Sequence, residues 1–208
     1  MLWSPWWTLH LQKRLKRMPS KPKLVRGFTA KAERISESYR DEMRISKFEP
    51  LDAFALAEHL EVAILGIGDL RTDLDVKHYK RLCDVNEFSA MWMPNTGGNK
   101  IILHNENHSK KRQQSNLMHE LAHIILEHSI PEEYAKLCFQ LGLHYYNVEH
   151  EQEAKYLGGC LKITRPGLLW ALKNNYSEEE ISDYYNASVD MVNYRLRITG
   201  VLRQRANY

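Results

Sequence analysis

Residues 115–128 read SNLMHELAHIILEH and contain the spacing His119-Glu120-x-x-His123. On an α-helix, residues four apart lie one above the other on the same face. Two imidazoles so placed can each offer a ring nitrogen to one ion at about 2.0–2.1 Å, the distance that zinc requires. Glu120 falls one step round the helix, beside the open coordination position, where a carboxylate can take a proton from an attacking water. Leu117, Leu121, Ile124 and Ile125 provide an apolar surround that would bury the helix and lower the local dielectric. The plainer alternative is a buried helix whose histidines are satisfied by backbone or carboxylate groups.

A catalytic zinc keeps three protein ligands, so one more must be found. In the pattern HExxHxxGxxH the glycine and third histidine would fall where this chain has Leu126 and Ser129, which excludes that class. His128 is five residues after His123, well over a hundred degrees round the helix at ~100° per residue. It cannot join the same ligand set without a break in the helix. Further on, NVEHEQEAKYLGGCLKI (residues 147–163) reads as a second helix holding Glu149, His150, Glu151 and Glu153. Its apolar stripe is Ala154, Leu157 and Leu161. Glu151 and Glu153 flank that stripe almost symmetrically, with His150 nearer its centre, so periodicity names the segment and not the residue.

These residues need elements to hold them. TAKAERISESYRDEMR, from Thr29 as a helix N-cap, repeats Ala32, Ile35 and Tyr39 at helical spacing. EPLDAFALAEHL follows as a helix with Pro50 near its first turn, and EVAILGI as a short buried strand. Residues 70–82 read as a further helix. FSAMWMPNTGGNKIILHN predicts a β-hairpin, since two β-prone runs flank Asn and Gly residues that suit a turn. Its second strand leads into Ser109 and the His119 helix. Three helices close the chain: RPGLLWALKNN, SEEEISDYYN with Ser177 and Glu180 spaced as a capping box, and SVDMVNYRLRITG opened by Ser188. The expected class is α+β: a helix-rich domain with a small antiparallel sheet and a C-terminal helical segment of helix-turn-helix cadence. The expected division is a basic, unstructured extension over residues 1–27, a metal-binding domain over 28–164, and helices packed on it over 165–208.

Composition sets the class of molecule. Of 208 residues, 43% are hydrophobic and 26% charged, as in a soluble globular protein and unlike a disordered one. No run approaches the ~20 uncharged apolar residues of a membrane span. Cys83, Cys138 and Cys160 are odd in number and far apart, which points to a reducing cytoplasm and away from disulfides or a cysteine-ligated zinc. The opening residues lack the apolar core and cleavage site of a secretory signal. The formal charge of +3 is uneven: residues 1–32 carry eight Lys or Arg and no acid, leaving a net −5 on the other 176. The basic character belongs to the tail and not to the domain.

HNENHSKKRQQSNLMHELAHIILEH followed by EQEAKYLGGCL resembles the ImmA/IrrE family of zinc metallo-endopeptidases, which pair HExxH with a later ExEAxxxA helix. The likeness extends upstream through DAFALAEHLEV and downstream through the C-terminal helices, covering most of residues 28–203. It implies a zincin-like fold and Zn2+ held by His119, His123 and the first glutamate of the second motif, Glu151, with Glu120 as base; Glu153 is the alternative third ligand. It also implies zinc polarising the scissile carbonyl, Glu120 passing a proton to the leaving amine, and a phage-type helix-turn-helix repressor as protein substrate, cleaved to release a stress or mobile-element gene set. The family usually has Asp or Asn after Glu-Ala, where this chain has Lys155, and a small residue further on, here Gly158. An acid at 155 would orient a ligand imidazole. His128, His144, Tyr145, Tyr146 and His150 are available as donors to the oxyanion, and the strand over residues 100–105 could take up an extended peptide by strand addition.

The competing reading is a DNA-binding or metal-responsive regulator. Residues 177–200 have two short helices joined at Asn186-Ala187, with Arg195 and Arg197 on the second. Against it, Asp190 in the first turn of that helix would face phosphate.

Overall fold

The computed structural model describes residues 24–70, 88–94, 99–129 and 147–205. The first helix, α1 (Phe28–Glu42), starts from Gly27 at φ 88, a left-handed conformation that glycine adopts without strain. Thr29 therefore lies inside the first turn and does not cap it, because buried Phe28 already anchors the start. α2 (Ala53–His59) is capped by Asp52, whose carboxylate accepts from the N–H groups of Phe54 and Ala55. Pro50 stands outside this helix, ahead of the cap. The helix expected over residues 70–82 falls outside the described residues except for Leu70, which closes a single 3-10 turn (Ile67–Leu70). Residues 1–23 of the basic extension, Cys83 and Cys138 also lie outside them.

Three strands form one sheet among the described residues: β1 (Ala63–Gly66), β2 (Ala90–Pro94) and β3 (Lys100–His104), in the order β1-β3-β2. β2 and β3 pair antiparallel, with Trp92 opposite Ile102, as the hairpin reading requires. β1 joins the other side of β3 in parallel, with Ile64 opposite Ile102, so the sheet is mixed and not purely antiparallel. Two expectations change. β1 is an outer strand and only half-buried, whereas residues 100–104 form the central strand, paired on both sides. A central strand has no unpaired edge, so an added peptide cannot pair there; the edge on the other side of the hairpin is β2.

α3 (Lys110–Ile125) follows, capped by Ser109 as expected, then α4 (Val148–Lys162), capped by Asn147. Leu117, Met118, Leu121 and Ala122 of α3 and Ala154, Leu157 and Leu161 of α4 are fully buried in one core shared with α1, α2 and the sheet. At Gly158 the two helices meet backbone against backbone: a Cβ there would stand 2.8 Å from the Met118 carbonyl oxygen. The remaining helices are α5 (Arg165–Lys173), α6 (Glu178–Tyr184), α7 (Val189–Thr199) and α8 (Val201–Arg205). Ser177 and Glu180 make the reciprocal capping box of α6, and Ser188 caps α7. These helices bury their own cluster around Leu168, Ile181, Tyr185, Val192 and Val201.

Buried polar groups tie the end of α4 to its surroundings. Its last carbonyls have no partners within the helix. Ser36 Oγ donates to the carbonyl of Cys160 at 2.8 Å, Arg40 to that of Leu161 at 2.9 Å, and Arg195 Nε to that of Ile163 at 2.9 Å. Arg195 also donates to Glu33 at 2.8 Å, linking α7 to α1. Lys162 Nζ reaches the Leu51 carbonyl at 2.9 Å and Gln114 Oε1 at 2.8 Å. Cations at a helix C-terminus also oppose the helix dipole. No helix of the described residues is long and apolar enough to cross a membrane.

Candidate metal centre

Three side chains converge between α3 and α4. His119 and His123 stand one turn apart on α3, and Glu151 projects from the first turn of α4. The two Nε2 atoms are 3.2 Å apart, Glu151 Oε2 is 3.2 Å from His119 Nε2, and Glu151 Oε1 is 3.4 Å from His123 Nε2. Among the described residues these are the side chains grouped as a metal site would need, with donor atoms within 4.8 Å of one another. Around a tetrahedral ion with bonds of about 2.0–2.1 Å, neighbouring ligand atoms stand about 3.3–3.4 Å apart. The separations in this triangle of side chains, with Glu151 facing His119 through Oε2 and His123 through Oε1, are of that size. Its donors, two imidazoles and a carboxylate, suit zinc.

The charges agree with that arrangement. Burial alone would raise the Glu151 carboxyl, but the imidazoles of His119 and His123 beside it outweigh burial and hold it well below the usual carboxylate range. Burial pushes His119 down, yet the Glu151 hydrogen bond and the Glu120 and Glu151 charges outweigh it, so its value is raised while Lys155 opposes.

Glu120 is 5% exposed and stands apart from the triangle. Its Oε2 accepts from the backbone N–H of Trp92 at 3.0 Å. Ser89 O accepts from Asn105 N at 2.9 Å, so by strand alternation residues 90, 92 and 94 turn their backbone groups away from β3. The Trp92 N–H thus holds Glu120 against the outer edge of β2. Pro94 shares that outer side and has no N–H to present, as edge positions allow.

A cleft of about 530 Å³ opens in front of these groups. It is lined by Ser89 and Ala90 beside β2, His119 and Glu120 of α3, Lys155 of α4, and Ser188, Asp190, Met191 and Tyr194 at and after the start of α7. Ser115 Oγ accepts from the Ser188 N–H at 2.9 Å, which fixes the start of α7 beside α3. Lys155 Nζ lies 4.8 Å above the Tyr194 ring, a cation–π contact.

Glu153 turns elsewhere: its Oε2 is 3.1 Å from His128 Nε2. His128 in turn places Nδ1 2.9 Å from Nδ1 of His123, and His150 stacks on it with ring centroids 4.2 Å apart. Burial is the largest cause that pushes His128 down to about 4, with His123 and His150 adding to it against Glu153. His128 is thus not in the triangle, as the helical spacing required, but it touches a member of it. Sequence reasoning missed this contact because the break that allows it sits at Glu127, where a glycine would have signalled a helix end. His144, Tyr145 and Tyr146 lie outside the described residues. The backbone donor of Trp92 left no mark in the sequence.

On α7, Arg195 is fully buried by its contacts with Glu33, Cys160 and Ile163, while Arg197 is exposed. The first turn of α7 lines the cleft, where a groove-reading helix would present that turn to DNA.

No curated protein and no solved structure matches the chain significantly. Residues 62–197, well over half of the sequence, match the peptidase M78 family model, described as the IrrE N-terminal-like domain. The match runs from the start of the sheet into α7 and includes the three residues of the triangle and Glu120. The chain belongs to the ImmA/IrrE family of metallopeptidases.

Proposed function

We propose that the chain is a cytoplasmic zinc-dependent endopeptidase of narrow specificity, with His119, His123 and Glu151 as ligands and Glu120 as general base. The single observation that carries this reading is the convergence of His119, His123 and Glu151, with nearest donor atoms 3.2–3.4 Å apart, beside a second glutamate held at a strand edge. When bound, the ion would supply Lewis acidity to the scissile carbonyl and to the attacking water. The Glu120 carboxylate, oriented by the Trp92 N–H, takes the proton from that water and passes it to the departing amine. The outward backbone groups of Ala90 and the outward carbonyl of Trp92, whose N–H is held by Glu120, offer an extended substrate part of a strand edge to pair with beside the triangle. The start of α7 lines the cleft through Ser188, Asp190 and Met191, so a substrate must also fit this helix, in keeping with few substrates.

The substrate proposed is a helix-turn-helix repressor of the phage type, whose cleavage would release a stress or mobile-element gene set. Family membership supports this choice. The rival reading, a DNA-binding regulator, is disfavoured by the burial of Arg195 and by the position of the α7 first turn.

Purified protein should carry about one zinc per chain. Glu120→Gln should retain the metal and lose cleavage of the cognate repressor by about 10²–10⁴-fold, the usual contribution of a general base. Glu151→Ala should lose the metal, whereas Glu153→Ala should keep the site populated at saturating zinc. A metal-free preparation that shifts DNA in a gel would overturn the enzyme reading in favour of the regulator.

A further inference from the structure

The turn that ends α3 brings a third histidine back to the site. Glu127 adopts φ 55, a left-handed conformation. Its N–H reaches the Ile124 carbonyl at 3.2 Å, and the N–H of His128 reaches the His123 carbonyl at 3.0 Å. This pair of bonds is a Schellman ending. It folds the chain back so that His128 Nδ1 meets His123 Nδ1 at 2.9 Å, on the opposite side of the His123 ring from the triangle. The other nitrogen of His128 is 3.1 Å from Glu153 Oε2. The His128 side chain is 6% exposed, and His150 lies parallel to its ring at 4.2 Å and 4°.

The proton positions follow from the partners. An ionised carboxylate only accepts, so Nε2 of His128 carries the hydrogen directed at Glu153. Nδ1 of a neutral His128 is then an acceptor, and His123 must donate to it from its own Nδ1. That leaves Nε2 of His123 without a hydrogen, its lone pair facing His119 and Glu151. We propose that His128 and Glu153 are positioning residues, a hydrogen-bonded chain Glu153–His128–His123 that fixes the ring orientation and the tautomer of His123 as a metal ligand. The proposal rests on the metal reading of the triangle. It also accounts for Lys155: a cation cannot accept from an imidazole, and the carboxylate that orients a ligand ring comes from Glu153, through His128, instead.

Three measurements on the full chain test this. In metal-free wild type, long-range ¹H–¹⁵N correlation of the imidazoles should show His123 as the Nδ1–H tautomer; finding it as Nε2–H overturns the proposal, whether or not any variant folds. In chelator competition, His128→Leu should weaken zinc binding about 10–100-fold, the usual effect of removing a ligand's outer partner. His128→Gln, whose amide oxygen can accept from His123 Nδ1–H, should restore most of that loss. The cobalt-substituted protein should show a shifted d–d spectrum in His128→Leu and a near wild-type one in His128→Gln, a pattern that loss of packing alone would not produce. Wild type with one zinc and a His128→Leu variant of equal affinity would overturn the chain and leave the ligand assignment standing. Wild type that binds no zinc would overturn both.

Discussion

Replacing Gly158 by alanine probes how the separation of α3 and α4 sets the site. A Cβ at 158 would lie 2.8 Å from the Met118 carbonyl oxygen and 3.1 Å from both N and Cα of His119. Ordinary contact begins at 3.4 Å, so the helices must part by about 0.6 Å at that point. The opposing atoms are helix backbone and cannot swing aside as a side-chain end could. Overpacking of this kind costs about 1–3 kcal/mol, while alanine in place of glycine inside a helix returns about 1 kcal/mol. The net expectation is a loss of about 1 kcal/mol, read from urea unfolding of the metal-free protein. Parting the helices also lengthens the 3.2 and 3.4 Å separations between Glu151 and the histidines, and metal geometry tolerates only about 0.2 Å. Zinc affinity, measured by chelator competition, should fall with the stability. A Gly158→Ala variant that is about 1 kcal/mol more stable and binds zinc as tightly would refute this reasoning, because it would show that the contact at Gly158 does not set the spacing of the helices.

Two further outcomes follow from buried cations. Arg195→Met strands the Ile163 carbonyl and the Glu33 carboxylate, and removing one partner of a buried pair costs about 3–5 kcal/mol; because Glu33 is 19% exposed, the lower end is expected in denaturant unfolding, and a loss under about 1 kcal/mol would show that this network does not hold α7 to α1. Burial lowers Lys162 to about 8, against Asp52, which raises it, and with Arg40 adding to the lowering. Between that value and the ~10.4 of an unfolded lysine, the unfolded chain keeps the proton and the folded one does not, so rising pH favours folding by up to about 1.4 kcal/mol per unit. Wild type should therefore gain about 1–2 kcal/mol over Lys162→Met between pH 8 and 9.5, and a pH-independent difference would exclude the buried lysine as the cause.

The elements with strong local signals were legible. Ser109, Ser177 and Ser188 cap the helices that their positions announce, because a capping hydroxyl acts only on N–H groups two or three residues ahead. The runs on either side of the turn residues pair as a hairpin, with Trp92 opposite Ile102, as two β-prone runs flanking Asn and Gly suggest. Where neighbours distant in sequence decide, the reading shifted. Residues 100–104 became the central strand only because β1 arrives in parallel from before the hairpin, and no local pattern encodes that arrival. Arg195 reads as a basic contact residue of a helix-turn-helix, but its partners Glu33 and Cys160 lie 162 and 35 positions away.

By itself the sequence determined that His119, Glu120 and His123 share one helix in that order, since a spacing of four is one helical turn whatever surrounds it. It also narrowed the third partner to a short acidic segment. Periodicity left Glu151 and Glu153 open and the family resemblance favoured Glu151, but only the tertiary structure places them: two residues apart on a helix they point about 200° apart, and the packing of α4 on α3 turns Glu151 to the histidine pair and Glu153 to His128. The position of Glu120 against the Trp92 N–H was likewise settled by packing, because a backbone donor carries no side-chain signature and becomes a partner only when its strand is brought there.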